Sequence, residues 1–573
     1  MKTADTLSRV IAATLLLLPG VASAQQPMKN TAIIGLWLMG QSLCDGSESL
    51  PIVTTSDPGW GNLAFKRGVR TWAQTDHGAS PEKRAQSEFA FAPLMAAANG
   101  GLGETMANGL ADHLKASLVK ANQAQAKTTT PHFLVAYAGQ GGRTIEELSI
   151  ADESTDTRTP AAKQAGGGYY QTSLDDARRA VQGARTQSKD FRIAALVWMQ
   201  GEGNGGPTGG IVPSRWLDEM PRPQGQQWYR DRLIAYRKQW SQDLCAITKQ
   251  AGEIPMFTYQ TIGPAGEAQL MAADDDAQIT MVGPHYMVPS ALNSRYSESR
   301  RGASIHLTAD GERWYGEQVA KVMSRVLVEG EDWQPLRPRQ AWTDAARTSV
   351  WVEMSVPRPP LVLDEKFFPR QQSEVGTGFS SLAGFLIRDG TGGTAAMTAV
   401  EVASPTRVRI RLARPLASGA PCHISYGQPQ AGALGTVAAI RKGPEVSGQP
   451  TTELLVSGGL SVGLQSLLAE GAFYATSLTG SVYAQATIRS AQEVQGNTVL
   501  RYEDRELRND TAFAVGQTLT AQRLFQYGNL RDSDAEAAIY SFADKTYGTR
   551  AGQPYPLWNW CVLFSHFPIS EKE

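Results

Sequence analysis

Between residues 31 and 330, short apolar runs alternate with amphipathic stretches, and this alternation most constrains the fold. The apolar runs are 31–39, 133–138, 192–199 and 255–260, each short enough for a buried strand. Helical texture covers Glu104 to Asn122, Ser173 to Arg185 and Gln226 to Lys249. A last helix opens at Thr308, a good N-cap residue, and runs to about Val328. Its apolar positions Tyr315, Val319, Val322, Met323 and Val326 follow helical spacing. Strands alternating with helices predict an α/β architecture, a parallel sheet covered on both faces. In such sheets the loops after the strand C-termini build the site.

Two long stretches interrupt the pattern, Ser47 to Asn99 and Gly203 to Gly225, both rich in Gly, Pro and aromatic residues. Loops of that length in a compact domain are usually functional or disordered, and here they would wall a cleft. Their tryptophans Trp60, Trp72 and Trp216 stand among polar residues, which leans towards a sugar rather than a long acyl chain. After Glu329 the helical periodicity fades and prolines punctuate the chain. Ser349 to Val356, Arg407 to Leu412, Ser481 to Ile488 and Thr498 to Tyr502 read as strands. In the second of these, Val408, Ile410 and Leu412 alternate with Arg407, Arg409 and Arg411, one buried face and one wet face. The expected organisation is a leader at 1–24, an α/β domain at 25–335, and a β-rich accessory region at 336–573 that forms one or two subdomains.

The leader carries Lys2 and Arg9, an apolar run from Val10 to Leu18, and the small residues Ala22-Ser23-Ala24. That is the pattern of a secretory signal, which puts the mature start at Gln25 and the protein in the periplasm or outside the cell. No later stretch reads as membrane-spanning. Lys and Arg (54) balance Asp and Glu (55), which argues against a nucleic-acid partner, since such binding rests on clustered positive charge. Four cysteines allow three full pairings, and Cys44–Cys245 with Cys422–Cys561 is the simplest.

Chemistry is expected at four loops. Gly40-Gln41-Ser42 follows the first strand, and Gly139-Gln140-Gly141-Gly142-Arg143-Thr144 follows the second. Glycines let backbone approach a substrate, and N–H groups before a helix can hold an oxyanion. Trp198-Met199-Gln200-Gly201-Glu202 ends the third strand, where an amide side chain can donate to developing charge. Ser304 to Gly311 precedes the last helix and holds His306, a base that titrates in the right range for a serine nucleophile. His285 is the second candidate histidine. In the C-terminal half, the polar loop Gly528 to Asp534 and the aromatic run Tyr555 to Trp560 could bind glycan or simply pack, with packing favoured.

Taken in order, Gly40-Gln41-Ser42, Trp198-Met199-Gln200-Gly201-Glu202 and His306-Leu307-Thr308-Ala309-Asp310-Gly311 resemble the SGNH (GDSL-like) hydrolase superfamily. The likeness covers roughly residues 30–330 and points to the carbohydrate O-acetylesterase branch, which includes sialate O-acetylesterases and acetylxylan esterases. The resemblance implies a flavodoxin-like three-layer α/β/α domain. It implies Ser42 as nucleophile and His306 as general base. The oxyanion hole would comprise the Ser42 N–H, a Gly141 or Gly142 N–H and the Gln200 amide, with Gln41 and Glu202 supporting. The reaction would remove acetyl groups from an acetylated glycan through an acyl-serine, with no metal and no cofactor. A neutral base would make activity fall as pH drops through about 6–7. The sequence departs from the family at Ala303, where an acid that orients the histidine usually stands. Glu202, Glu298 or Asp310 are the candidate substitutes. Other readings are an SGNH lipase, thioesterase or aryl-esterase on a non-sugar ester, and a glycan-binding or adhesion protein on a degenerate esterase scaffold.

Overall fold

The computed structural model describes residues 33–71, 89–96, 103–124, 130–149, 160–206, 209–214, 217–288, 306–367, 381–390, 393–427, 431–446, 448–457, 473–479, 482–488, 490–504, 513–523, 528–543 and 551–571. The leader, Trp72, Trp216, Glu298 and Ala303 lie outside the described residues.

Seven strands form the first sheet: β1 (Ile33–Gly40), β2 (Leu63–Phe65), β3 (Phe91–Pro93), β4 (His132–Gly139), β5 (Phe191–Met199), β6 (Met256–Gln260) and β7 (Ile279–Pro284). Their order is β3-β2-β4-β1-β5-β6-β7. All neighbours are parallel except the short edge strand β3. The five long strands follow the 2-1-3-4-5 order of a doubly wound sheet. The connections carry α1 (Ser42–Asp45), α2 (Ala107–Ala124), α3 (Ile145–Leu148), α4 (Pro160–Thr186), α5 (Arg222–Thr248), α6 (Pro264–Asp275) and α7 (Ala309–Ser324).

Strand alternation sorts the core onto two faces. From β1, Ile34, Leu36 and Leu38 pack with Leu110 and Leu114 of α2 and with Val319 and Met323 of α7. Ile33, Trp37 and Met39 pack on the other side with Ala177 of α4, Leu233 and Trp240 of α5 and Ala268 of α6. Every residue of β1 is buried, as a central parallel strand requires. Truncating one of its large side chains, Leu36→Ala, would cost about 2–5 kcal/mol. Thr308 caps α7, its hydroxyl accepting from the Gly311 N–H at 3.0 Å. The unit α6–β7 does not stand out in the sequence. Its helix buries small residues, Ala265, Ala268 and Ala272, so no wide apolar stripe marks it.

Beyond α7 the described residues build two large sheets and two small two-stranded ones. The first has eight strands, running from Arg337–Thr343 to Cys422–Tyr426 and closed by Phe564–Glu571. Val350, Val352, Val408, Ile410 and Ile424 fill its core. The arginine row faces outward: Arg407 pairs with Glu353 and Arg411 with Glu401. Arg407 and Arg409 also lie over Trp342 and Trp351. The second sheet has seven antiparallel strands drawn from 431–523. The described stretches 528–543 and 551–563 then return to the first sheet's helices. Phe542, Tyr555, Leu557 and Trp560 join the core between α2 and α7. The aromatic run therefore packs rather than standing free. The polar loop does the same, since Asn529 and Asp532 are fully buried.

Neither expected disulfide is present: all four cysteines are free thiols. Cys44 is buried behind Ser42 in the core of the α/β part, whereas Cys245 lies half-buried on α5. No described helix is long and apolar enough to cross a membrane.

Candidate active site

The doubly wound order reverses between β1 and β5, and the crevice at such a reversal is where ligands bind. Three of the four expected loops meet there. The Gln41 N–H donates to Met199 O at 3.0 Å, locking the end of β1 to the end of β5. Gly40 permits this approach, because a Cβ there would stand 2.3 Å from Met199 O. Ser42 opens α1, so its N–H has no acceptor within the helix. Gly141 lies against it: an added Cβ would come within 3.2 Å of the Ser42 Cβ. Gly142 adopts a left-handed φ of 70° at the same turn. A capping box fixes the end of that turn, with Thr144 N–H donating to Glu147 Oε2 at 3.0 Å.

Gln41 braces rather than reacts. Its Oε1 accepts from the Gly203 N–H at 2.8 Å and, at 3.4 Å, from Gly201 N–H and Gln200 Nε2. Gln200 is fully buried, and its amide nitrogen donates to Asn204 Oδ1 at 2.7 Å and Arg143 O at 2.9 Å. Its Oε1 accepts from the Tyr229 hydroxyl at 2.7 Å. The two amide hydrogens thus have strong acceptors inside the protein, and as placed Gln200 ties loops together instead of offering a free donor to an oxyanion. Asn204, which sequence reasoning passed over, completes the tie: its Oδ1 also accepts from the Ile145 N–H at 2.9 Å.

His306 stands just before α7, partly exposed. Its Nδ1 lies 3.0 Å from Glu48 Oε2. One residue further along each loop, the Ser49 hydroxyl donates to Leu307 O at 2.8 Å. The histidine loop and the segment following Ser42 are therefore stitched together at two points. Of the expected substitutes for the missing acid, Glu202 and Asp310 have other partners. Glu202 instead accepts from the hydroxyls of Tyr259 at 2.6 Å and Thr261 at 2.5 Å. Asp310 accepts from the Tyr555 hydroxyl at 2.5 Å and the Ala543 N–H at 3.0 Å, on the side of α7 covered by the returning segment. Glu298 lies outside the described residues. Glu48 sits in a long insert with no motif around it, and no local signal could have found it.

His285 is buried with its Nδ1 3.2 Å from Gln260 O and its ring 5.2 Å from that of Tyr259. Burial pushes its pKa down, against the opposing charge of Glu202. Asp45 is a further buried acid at the site. Its Oδ1 accepts from Ser47 N–H at 2.9 Å and Ser47 Oγ at 2.5 Å. Burial raises its pKa despite the opposing charges of Arg70 and His306. Among the described residues no group of three or more His, Cys, Asp or Glu side chains is placed to hold a metal ion.

No family model matches this chain, and no curated protein does. Solved structures show partial likeness. The carbohydrate acetylesterase XAC1771 from Xanthomonas citri aligns at 15% identity over 69% of this chain and 75% of its own, with a TM-score of 0.40. NanS aligns at 13% identity over 53% of this chain and 99% of its own, with a TM-score of 0.31. A protein from Arabidopsis thaliana aligns at 14% identity over 50% and 96%, also at 0.31. These values lie below the level at which a shared fold follows. The chain's architecture is a parallel-stranded α/β unit joined to β-rich sheets.

Proposed function

We propose that this protein is an exported serine esterase of the SGNH type that removes O-acetyl groups from carbohydrate. The observation that supports it is the double stitch between the nucleophile segment and the histidine loop, Glu48 to His306 and Ser49 to Leu307. With Nδ1 facing a carboxylate, Nε2 is the nitrogen that takes the proton in this reading. Ser42 Oγ attacks the acetyl carbonyl as its proton passes to His306 Nε2. The N–H groups of Ser42 and Gly141 donate to the oxyanion that forms. The imidazolium then protonates the departing sugar oxygen, leaving acetyl-Ser42. Water, deprotonated by the same histidine, releases acetate. The leader motif at 1–24 supports export, and the near-neutral charge fits a substrate held by hydrogen bonds and stacking.

The test compares purified mature protein with Ser42→Ala on p-nitrophenyl acetate and on acetylated glycans. Acetate release that disappears in the variant supports the reading. Release no greater than the variant's would overturn it.

A further inference from the structure

We infer that Glu48 is the positioning acid for His306, so that nucleophile and orienting carboxylate come from one loop and the base alone comes from the far end of the domain. This rests on the esterase reading above. A serine nucleophile needs an imidazole whose Nε2 lone pair faces the hydroxyl, and that requires the proton on Nδ1. A carboxylate oxygen at 3.0 Å from Nδ1 accepts that proton's hydrogen bond and holds the ring in one tautomer. It also stabilises the imidazolium formed when the proton transfers. The role usually filled from the position of Ala303 is thereby met from across the cleft.

The loop is built to hold Glu48 in place. Gly46 ends α1 in the left-handed region with φ 78°, its N–H returning to Ser42 O. Ser47 N–H also reaches Ser42 O, at 3.2 Å, and its hydroxyl is held by Asp45. Glu48 itself has φ 64°, a conformation that few residues other than glycine adopt and that persists only where the surroundings impose it. Ser49 imposes it from the other side. Its carbonyl accepts from Glu104 N–H at 3.0 Å, and its hydroxyl donates to Leu307 O. A residue anchored on both flanks, with a rare backbone and its carboxylate on the catalytic imidazole, is placed to orient that ring. The segment is short, Glu48 standing six positions after Ser42, so nucleophile and acid keep their spacing as one unit.

The experiment uses the full mature chain with Glu48→Gln, Glu48→Asp and Ser42→Ala. Turnover of p-nitrophenyl acetate is measured, together with the His306 tautomer by NMR on protein labelled with 15N-histidine, assigned against His306→Gln. Glu48→Gln should lower kcat by about 10²–10⁴-fold, with KM changed less than about twofold. Its His306 signal should move from the Nδ1–H form to a mixture, and Glu48→Asp should recover part of both. A Glu48→Gln protein with kcat within about twofold of the parent and an unchanged tautomer would overturn the inference. If Ser42→Ala retains activity, it is the esterase reading that fails. The tautomer then still decides whether Glu48 orients the ring, since it is read without turnover. Circular dichroism and the unfolding midpoint of each variant separate misfolding from misorientation.

Discussion

Lys321 Nζ of α7 lies 3.1 Å from the Asp534 carboxylate, and both side chains are almost wholly buried. Lys321 also donates to Asn559 Oδ1 at 2.7 Å, and Arg325 reaches the same Asp534 at 2.8 Å. Asp534 and Asn559 are thus part of the α/β unit's own interior. Removing one partner of a buried ion pair leaves the other charge uncompensated, at about 3–5 kcal/mol. Asp534→Ala should destabilise by that order, measured as a loss in the urea unfolding midpoint. A midpoint within error of the parent would show that the ion pair is dispensable to the fold.

The Gly141 backbone touches Ser42, and a methyl group there would come 3.2 Å from the Ser42 Cβ. Gly141→Ala should shift the turn or the nucleophile by a few tenths of an ångström. Misplacement on the scale of 1 Å costs about 10²-fold in rate. We expect kcat on p-nitrophenyl acetate to fall by about tenfold or more, with the melting temperature nearly unchanged. An unaltered kcat would remove Gly141 from the site.

Gln41 holds the loop after β5 through three donors on one oxygen. Gln41→Ala would leave the part-buried Gly203 N–H without its 2.8 Å acceptor. An unsatisfied buried group costs about 1–3 kcal/mol. The expected outcome is a lowered unfolding midpoint together with reduced turnover, because that loop adjoins Ser42. Reduced turnover at full stability would instead mark Gln41 as touching substrate.

Asp176 of α4 is buried, and burial pushes its pKa up to about 6, outweighing the Thr71 hydroxyl and the Arg179 guanidinium 2.8 Å away. A folded-state pKa above the unfolded value of about 3.9 gives stability that is complete below pH 4 and lost as pH rises through about 6. Asp112, also raised to about 6 by burial, adds a slope of the same sign. Asp176→Asn should therefore flatten part of the stability loss between pH 4 and 7, followed by urea unfolding at each pH. An identical slope in parent and variant would show that Asp176 ionises as freely folded as unfolded.

The elements of the α/β part were legible because they depend on local pattern. The runs ending at Met39, Ala138 and Met199 are buried parallel strands, and Thr308 caps its helix as its side chain dictates. The unit α6–β7 was not legible, because alanines that pack closely leave no strong periodic stripe. The sequence also pointed to Gln200 as a free donor, whereas packing surrounds its amide with acceptors. The disulfides it suggested do not form, because Cys44 is enclosed in the sheet's core and Cys245 lies on α5.

By itself the sequence pointed to the longer strands and helices of the α/β part, and to Ser42, Gly141, Gln200 and His306 as residues at turns that follow strands or precede a helix. These follow from periodicity, caps and turn chemistry, which act over a few residues. Only the tertiary structure decided what faces His306 and where the last segment of the chain packs. The Glu48–His306 contact joins residues 258 positions apart, and Lys321–Asp534 joins residues 213 apart. No local preference encodes such pairs. They form because the doubly wound sheet brings its loops to one edge and leaves the faces of α2 and α7 for a distant segment to cover.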